Sequence, residues 1–281
     1  MVVVTWNVQW CRGIDGNVDP GRIARTALAL ADFDVLCLQE VAVNFAGLPG
    51  SRGEDQVYEL SRALPQQFAI FGVATDLPDA AGRRRQFGNC VFSRLPVLQV
   101  FRHLLPWPAD PAVPSMQRLA LEAVIETRSG PLRITTTHLE YYSSLQRAAQ
   151  VEALRNLHEE ACGHARAPRP TADSGDTFDS FPRPAAAVIC GDFNFKPEHP
   201  EHARMTAPLG AGTPGFLDAW QIAHPAQPHA PTMGVYEKTW PLYCCDFLFV
   251  TEDLAPRVRA VRVDADTDAS DHQPVILELV D

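Results

Sequence analysis

The sequence has 281 residues, of which 46% are hydrophobic and 21% are charged, and its formal net charge is −10 at pH 7. This composition is sufficient for a large hydrophobic core and excludes a fibrous or wholly disordered chain. No apolar run approaches the roughly 20 residues of a membrane-spanning helix, and the acidic excess disfavours a protein that grips long nucleic acid through a basic face.

The N-terminal part is predicted to alternate strands and helices. Residues 2–5 are apolar or β-branched and lack the basic region of a signal peptide, so they predict a strand and a cytoplasmic location. Asp19 and Pro20 predict the start of a helix over residues 20–31, because an acidic residue followed by Pro is typical of a first helical turn. A strand, a glycine-rich loop and a second helix are then expected at residues 34–38, 44–53 and 54–64.

The rest of the chain is dominated by predicted strands. Short β-branched or alternating runs predict strands at residues 68–73, 89–92, 97–104, 118–126 and 132–137. Apolar residues at helical spacing between Leu145 and Leu157 predict a third helix. The last predicted strands lie at residues 185–191, 245–250, 257–263 and 275–280.

Residues 162–184 are rich in Pro, Asp, Ser and Arg and poor in large apolar side chains. Such a segment cannot bury enough apolar surface to offset its ordering entropy, so we expect an exposed, mobile loop. Core-type segments lie on both sides of it, and no internal repeat is visible. The sequence therefore predicts a single domain over residues 1–281 with a loop insertion at about 162–184, and we expect a monomer.

Polar side chains suited to phosphate or metal stand at the ends of most predicted strands. Because strand ends on one side of a sheet share one rim, these side chains can converge on a single cleft. Any one of them alone is most simply a turn, surface or structural residue, and only their joint occurrence favours a functional site. They are Asn7, Glu40, His138, Asp192, Asn194, Asp246, Asp271 and His272.

These side chains belong to short segments that follow one another along nearly the whole chain. The segments are Thr5-Trp6-Asn7-Val8, Gln39-Glu40, residues 88–96, Thr137-His138-Leu139, Gly191-Asp192-Phe193-Asn194, residues 246–250 and Ser270-Asp271-His272. In this order they resemble the signatures of the endonuclease/exonuclease/phosphatase superfamily, which includes DNase I-like nucleases, sphingomyelinases and inositol polyphosphate phosphatases. The resemblance implies an α/β (α+β) four-layer sandwich, in which two mixed β-sheets pack face to face with helices on the outside.

The resemblance also implies a metal site. Glu40 would be the main carboxylate on a divalent cation, Mg²⁺ or Mn²⁺, and Asn7 and Asp271 would complete or support the metal shell. One position departs from part of the family: Gln9 stands where some apurinic endonucleases carry a metal-binding Asp. An amide ligates a hard cation more weakly than a carboxylate.

The remaining implied roles are catalytic. Asp192 would orient and deprotonate the attacking water, and its neighbour Asn194 would contact phosphate. His272 would stabilise the charge that develops on phosphate, with Asp246 holding its imidazole in position. The implied substrate-binding set, in which His138 would donate a hydrogen bond to a phosphate oxygen, is Asn194, His138 and Asn89.

The implied activity is that of a metal-dependent phosphoesterase that hydrolyses a phosphodiester, or a monoester, by attack of an activated water. The acidic charge and the presence of only two lysines favour a small-molecule, nucleotide or lipid-headgroup substrate over DNA or RNA. A DNA or RNA endonuclease or exonuclease is the alternative. A non-catalytic binding module on the same fold is an alternative of another class, disfavoured because the base, the metal carboxylate and the paired histidine are all present.

Overall fold

The computed structural model describes residues 1–168, 175–236 and 241–280. Within these ranges the strands are β1 (Val2–Asn7), β2 (Val35–Val43), β3 (Phe68–Pro78), β4 (Arg84–Ser93), β5 (Val97–Leu104), β6 (Leu119–Thr127), β7 (Gly130–His138), β8 (Ala187–Asp192), β9 (Phe216–Asp218), β10 (Asp246–Thr251), β11 (Val258–Val263) and β12 (Val275–Leu279). The helices are α1 (Pro20–Leu30), α2 (Gln56–Ala63), α3 (Ser144–Arg166), α4 (Pro200–Met205) and α5 (Ala219–Ala223).

The strands form two mixed sheets of six strands each. The first sheet has the order β11-β12-β1-β2-β4-β3, and the second has the order β5-β6-β7-β8-β10-β9. Each sheet contains one parallel pair, β1 with β2 in the first and β7 with β8 in the second, and the other neighbours are antiparallel. The two parallel pairs lie at the third and fourth positions of their sheets, so they face each other at the centre of the molecule.

Three hydrophobic clusters separate four layers. The largest cluster lies between the sheets and contains side chains from both, such as Val3 of β1 and Leu248 of β10. A second cluster packs the outer face of the first sheet against α1 and α2, and a third packs the outer face of the second sheet against α3 and α4. The expected four-layer sandwich of two mixed sheets with outer helices is therefore confirmed.

The alternation of side chains along a strand explains why apolar residues follow one another directly in β1. In β1, Val3 joins the cluster between the sheets, whereas Val4 and Trp6 join the cluster under the outer helices. Successive side chains of a strand point to opposite faces, and both faces are covered here. The strands that bear the polar ends are therefore rigidly held on both sides.

The predicted loop at about 162–184 begins later than expected. Helix α3 continues to Arg166, because Ala161 and Cys162 are buried and extend its apolar face. Residues 169–174 of the predicted loop lie outside the described ranges, and residues 175–184 contain no helix or strand. Within the described part of the chain, no helix is both long and apolar enough to cross a bilayer.

Candidate functional site

The two parallel strand pairs bring polar side chains to one edge of the sandwich. β1 and β2 run side by side to Asn7 and Gln39, and β7 and β8 run side by side to His138 and Asp192. β10 runs antiparallel to β8 and begins with Asp246 opposite Asp192. The carboxyl ends of the parallel strands and the amino end of their antiparallel neighbour therefore meet at the same rim.

A β-bulge turns Glu40 towards this rim. The register between β2 and β4 shifts between Leu38 and Val41, and Glu40 has a φ of 62°. A bulge re-aims the side chain next to it, and a left-handed backbone at a non-glycine residue is strained. The amide Nδ2 of Asn7 donates a hydrogen bond of 3.0 Å to Glu40 Oε1, so the re-aimed carboxylate is fixed at the end of β1.

Asp192 lies at the centre of the site. Its Oδ2 accepts a hydrogen bond of 3.0 Å from Asn7 Nδ2 and lies 3.5 Å from His138 Nε2 and 3.7 Å from His272 Nε2. Its Oδ1 accepts a hydrogen bond of 2.9 Å from the backbone N–H of Asn194. The Asp192 carboxylate is thus the point at which β1, β7, β8 and the segment before β12 meet.

His272 is oriented by a buried carboxylate. Its Nδ1 lies 2.9 Å from Asp246 Oδ2, which also accepts a hydrogen bond of 2.6 Å from Thr232 Oγ1. The backbone carbonyl of His272 accepts from the indole Nε1 of Trp6 at 3.0 Å. These contacts leave Nε2 of the imidazole facing Asp192. Thr232 is a site residue that the sequence analysis did not identify, because it lies in a loop with no motif of its own.

Asp271 is positioned by Gln9, the residue that stands where some apurinic endonucleases carry an Asp. The Nε2 of Gln9 donates to Asp271 Oδ2 at 2.5 Å, and Ser270 Oγ contacts Asp271 Oδ1 at 3.3 Å. The Oε1 of Gln9 accepts a hydrogen bond of 3.5 Å from Arg12 Nη1. Both ends of the amide therefore have partners, and Gln9 does not offer the free oxygen ligand that an Asp at this position would.

The carboxylates at the rim have raised pKa values. Burial, and then the charge of Asp271, raises the pKa of Glu40 to about 7. Burial raises the pKa of Asp192, the charge of His272 lowers it and the charge of Asp246 raises it, and the result is a pKa of about 6. Both shifts mean that negative charge is crowded in a region with little solvent.

The pKa values of the two imidazoles of the site are shifted in opposite directions. Burial lowers the pKa of His138 well below its usual value, and the charges of Arg118 and His272 add to this effect. Burial also opposes a charge on His272, but the carboxylates of Asp246 and Asp192 outweigh it and hold the pKa of His272 well above its usual value. At neutral pH His138 is therefore neutral, so its contacts with carboxylates are not ion pairs, whereas His272 is a cation.

A buried ion pair lies behind His138. Arg118 Nε lies 3.2 Å from Glu140 Oε2, and both side chains are almost fully buried. Within the described ranges, Nη1 of Arg118 has no hydrogen-bond partner. Neither residue was predicted to belong to the site. Glu140 follows His138 by only two positions, so a charged residue next to that segment could have indicated its role.

Two residues assigned to substrate binding have defined hydrogen bonds. Asn194 has a φ of 52°, and its Nδ2 donates to Leu139 O at 2.9 Å, which ties the turn after β8 to the turn after β7. Asn89 is 3% exposed, and its Nδ2 donates to Leu119 O at 3.2 Å. Asn194 therefore lies directly beside Asp192, whereas Asn89 lies inside β4 and is anchored on the start of β6.

Among the described residues, two groups of three histidine, cysteine, aspartate or glutamate side chains are close enough to share a metal ion, and neither includes Glu40 or Asp271. The first combines Asp192 and His272 with Cys245, whose thiol pKa is raised by burial and by Asp246. A protonated thiol is a poor ligand, so hydrogen bonding accounts for that group. The second group is built around a buried carboxylate that bonds to two imidazoles on the far side of β10, and it consists of His202, Asp218 and His229.

Comparisons with known proteins agree with the observed fold. The model of the Endonuclease/Exonuclease/phosphatase family matches residues 4–272. An endonuclease/exonuclease/phosphatase from Beutenbergia cavernae is 25% identical, with a TM-score of 0.66, and the match covers 99% of this chain and 71% of that one. No curated protein sequence matches the chain.

Two more distant structures share the fold. A mannosyl-6-phosphatase from Bacteroides thetaiotaomicron is 17% identical, with a TM-score of 0.69, and the match covers 100% of both chains. A 3′ phosphatase from Neisseria, bound to a product DNA hairpin, is 18% identical, with a TM-score of 0.62, and the match covers 100% of this chain and 99% of that one.

Proposed function

Because the chain belongs to the endonuclease/exonuclease/phosphatase family, whose members are hydrolases that act on phosphate esters, we propose that it hydrolyses a phosphodiester by attack of an activated water. The observation that carries this proposal is that Glu40, Asp192, His138 and His272 lie together at one rim. Asn7 donates hydrogen bonds to both carboxylates, and the two imidazoles lie within 3.7 Å of Asp192. A base, a cation and hydrogen-bond donors around one point are the groups that in-line displacement at phosphorus needs.

Asp192 is the proposed general base. A carboxylate whose pKa lies at about 6 is ionised at neutral pH and is still basic enough to take a proton from water. The backbone N–H of Asn194 and the amide of Asn7 hold its two oxygens in place. The carboxylate can therefore orient a water and accept its proton without first having to be positioned.

The residues at the rim fit a hard divalent cation, Mg²⁺ or Mn²⁺. Glu40 and Asp271 offer carboxylate oxygens, and the charge of Asp271 contributes to the raised pKa of Glu40, a repulsion that a bound cation would relieve. When bound, such a cation supplies Lewis-acid polarisation of a phosphate oxygen and offsets developing negative charge. Glu40 and Asp271 would hold it, and Asn7 would support the shell through its hydrogen bond to Glu40.

The two histidines serve the phosphate in different ways. The cationic His272, with its Nδ1 on Asp246, presents Nε2 to the pocket and stabilises negative charge on the phosphate oxygens. The neutral His138 donates a hydrogen bond without adding charge, and Asn194 and Asn89 complete the proposed substrate-binding set.

A small-molecule, nucleotide or lipid-headgroup diester is the proposed substrate class, with DNA or RNA as the second candidate. The one basic run of the sequence, residues 83–85, begins with guanidinium groups that already face carboxylates, Arg83 with Asp79 at 2.8 Å and Arg84 with Asp76 at 2.7 Å. Paired arginines contribute less to the grip on a phosphate backbone than free ones do. The cytoplasmic location and the monomeric state remain predictions.

The test is hydrolysis of bis-p-nitrophenyl phosphate with Mg²⁺, Mn²⁺ or EDTA. We expect turnover that requires metal and that falls by at least about a hundredfold in Asp192→Asn and His272→Ala. Asp176→Asn and His164→Ala, which replace exposed residues of the same types, are the matched controls and should keep full activity.

Absence of turnover together with absence of metal binding by calorimetry would contradict the proposal and favour the non-catalytic binding module. Turnover with a small diester that exceeds turnover with single- and double-stranded DNA at low salt would favour the proposed substrate class over the nuclease.

A further inference from the structure

Three tyrosines stand on one side of the candidate site and take no part in the proposed chemistry. Tyr141 and Tyr142 follow the turn after β7, and their side chains are 45% and 59% exposed. Their rings pack edge to face with centroids 4.8 Å apart. Tyr243 is half-buried, and it precedes Asp246 by three residues. We call these three residues the tyrosine subsite.

The backbone of the two exposed tyrosines is fixed. Glu140 Oε1 accepts the N–H groups of Tyr141 and Tyr142 at 2.9 and 3.0 Å. Arg147 Nη1 donates to the carbonyls of Glu140 and Tyr141, both at 3.0 Å. Because Glu140 is itself buried against Arg118, two large aromatic rings are exposed to solvent on a loop whose backbone is held by hydrogen bonds. Rings ordered in advance lose little conformational entropy when a ligand binds.

Backbone contacts place this loop and Tyr243 next to the catalytic residues. Leu139, between His138 and the loop, donates its N–H to Asp192 O at 2.9 Å and accepts from Asn194 Nδ2 at 2.9 Å. Tyr243 pairs with Met233, and Met233 forms a bridge with His272. The tyrosine subsite therefore adjoins the point where the phosphate would lie.

A positive charge lies beside the ring of Tyr243. The ammonium Nζ of Lys196 lies 5.2 Å from the centroid of the Tyr243 ring, and Lys196 is two residues after Asn194. Ring faces with a nearby cation suit a planar ring that carries acceptor oxygens, whereas a hydrocarbon chain would gain nothing from the cation. The nucleobases thymine, uracil, cytosine and guanine have both features.

We propose that the tyrosine subsite binds the base of a nucleoside phosphodiester, with Lys196 contacting an acceptor oxygen of the base. This inference rests on the proposed function, and it narrows the substrate class from small phosphodiesters in general to nucleotide esters. The base stacks on the exposed rings of Tyr141 and Tyr142 while the phosphate lies at Asp192.

The test compares two diesters with the same leaving group, thymidine 5′-(p-nitrophenyl phosphate) and methyl p-nitrophenyl phosphate. Because p-nitrophenolate leaves in both reactions, the ratio of their kcat/KM values isolates the contribution of the nucleoside. Stacking of a base on an aromatic side chain corresponds to roughly a five- to 150-fold effect. We expect the wild-type ratio to exceed about ten.

Variants of the exposed tyrosines test whether their rings cause the preference for the thymidine ester. Tyr141→Ala and Tyr142→Ala should each lower the ratio at least about fivefold, mainly through KM for the thymidine ester, whereas Tyr141→Phe should preserve it. Tyr58→Ala is the matched control, because Tyr58 is also 59% exposed but lies on α2, and it should leave the ratio unchanged.

Three outcomes would overturn the inference in distinguishable ways. A wild-type ratio near one would remove the nucleoside preference while leaving the phosphodiesterase proposal intact. An equal loss on both esters in the double variant Tyr141→Ala/Tyr142→Ala would mean that the loop shapes the phosphate site and binds no base. Absence of turnover with either ester would overturn this inference, and absence of metal binding as well would overturn the proposed function with it.

Discussion

Replacing Glu40 with Gln should stabilise the metal-free protein at high pH. Burial and the charge of Asp271 raise the pKa of Glu40 from 4.5 to about 7. A carboxyl group whose pKa is higher in the folded than in the unfolded state destabilises the fold when it is ionised. This destabilisation reaches its full size at pH values above the folded-state pKa. The cost disappears as the pH falls towards the unfolded value, because the folded protein then binds the proton.

The size of the effect follows from the shift. A rise from 4.5 to about 7 corresponds to about 3 kcal/mol of unfolding free energy at pH 8 and to less than about 1 kcal/mol at pH 5. The amide of Gln keeps an oxygen that can accept the hydrogen bond from Asn7, so the substitution removes the charge and retains this contact. We expect Glu40→Gln to raise Tm by roughly 6–12 °C at pH 8 and by much less at pH 5.

The assay is urea and thermal unfolding in EDTA at both pH values, followed by thermal unfolding with added MgCl₂. Mg²⁺ should raise the Tm of the wild type and have little effect on the variant, because a ligand stabilises only a protein that binds it. Glu198→Gln, which neutralises an exposed carboxylate, should behave as the wild type. An unfolding free energy of Glu40→Gln that equals or falls below that of the wild type at pH 8 would refute the electrostatic reasoning.

Further predictions concern the base and the strand that carries it. With metal present, kcat/KM should fall about tenfold per pH unit below a pKa at or below about 6, because Asp192 acts only when ionised and a bound cation favours that form. A pH–rate profile in which no acidic limb appears would argue against Asp192 as the base. Gly191→Ala should lower the free energy of unfolding by at least about 1–3 kcal/mol in urea denaturation, because Gly191 has a φ of 138° and an added Cβ would lie 1.9 Å from Thr137 O. Gly82→Ala, at a φ of 80° in open space, is the control and should lose less; equal losses would contradict the steric argument.

Much of the fold was predictable because the spacing of apolar residues and the residues that start helices or form turns are local properties of the sequence. Asp19 and Pro20 marked the start of α1, and the structure shows the Asp19 side chain accepting from the N–H of Arg22. The alternating run that begins at residue 118 became β6, paired on both sides. The short elements β9, α4 and α5 were not predicted, since three to six residues are too few to display a period.

The sequence alone determined which residue types stand at the strand ends and in what order, because motifs and hydrophobic patterns are written along the chain. Only the tertiary structure decided how they meet. Asn7 and Asp192 are 185 positions apart and become hydrogen-bonded partners when the two sheets pack face to face. The same packing, with burial and neighbouring charges, leaves His138 neutral and His272 charged. No local sequence pattern contains this difference, because the pKa of a side chain depends on the solvent and the charges that the fold places around it.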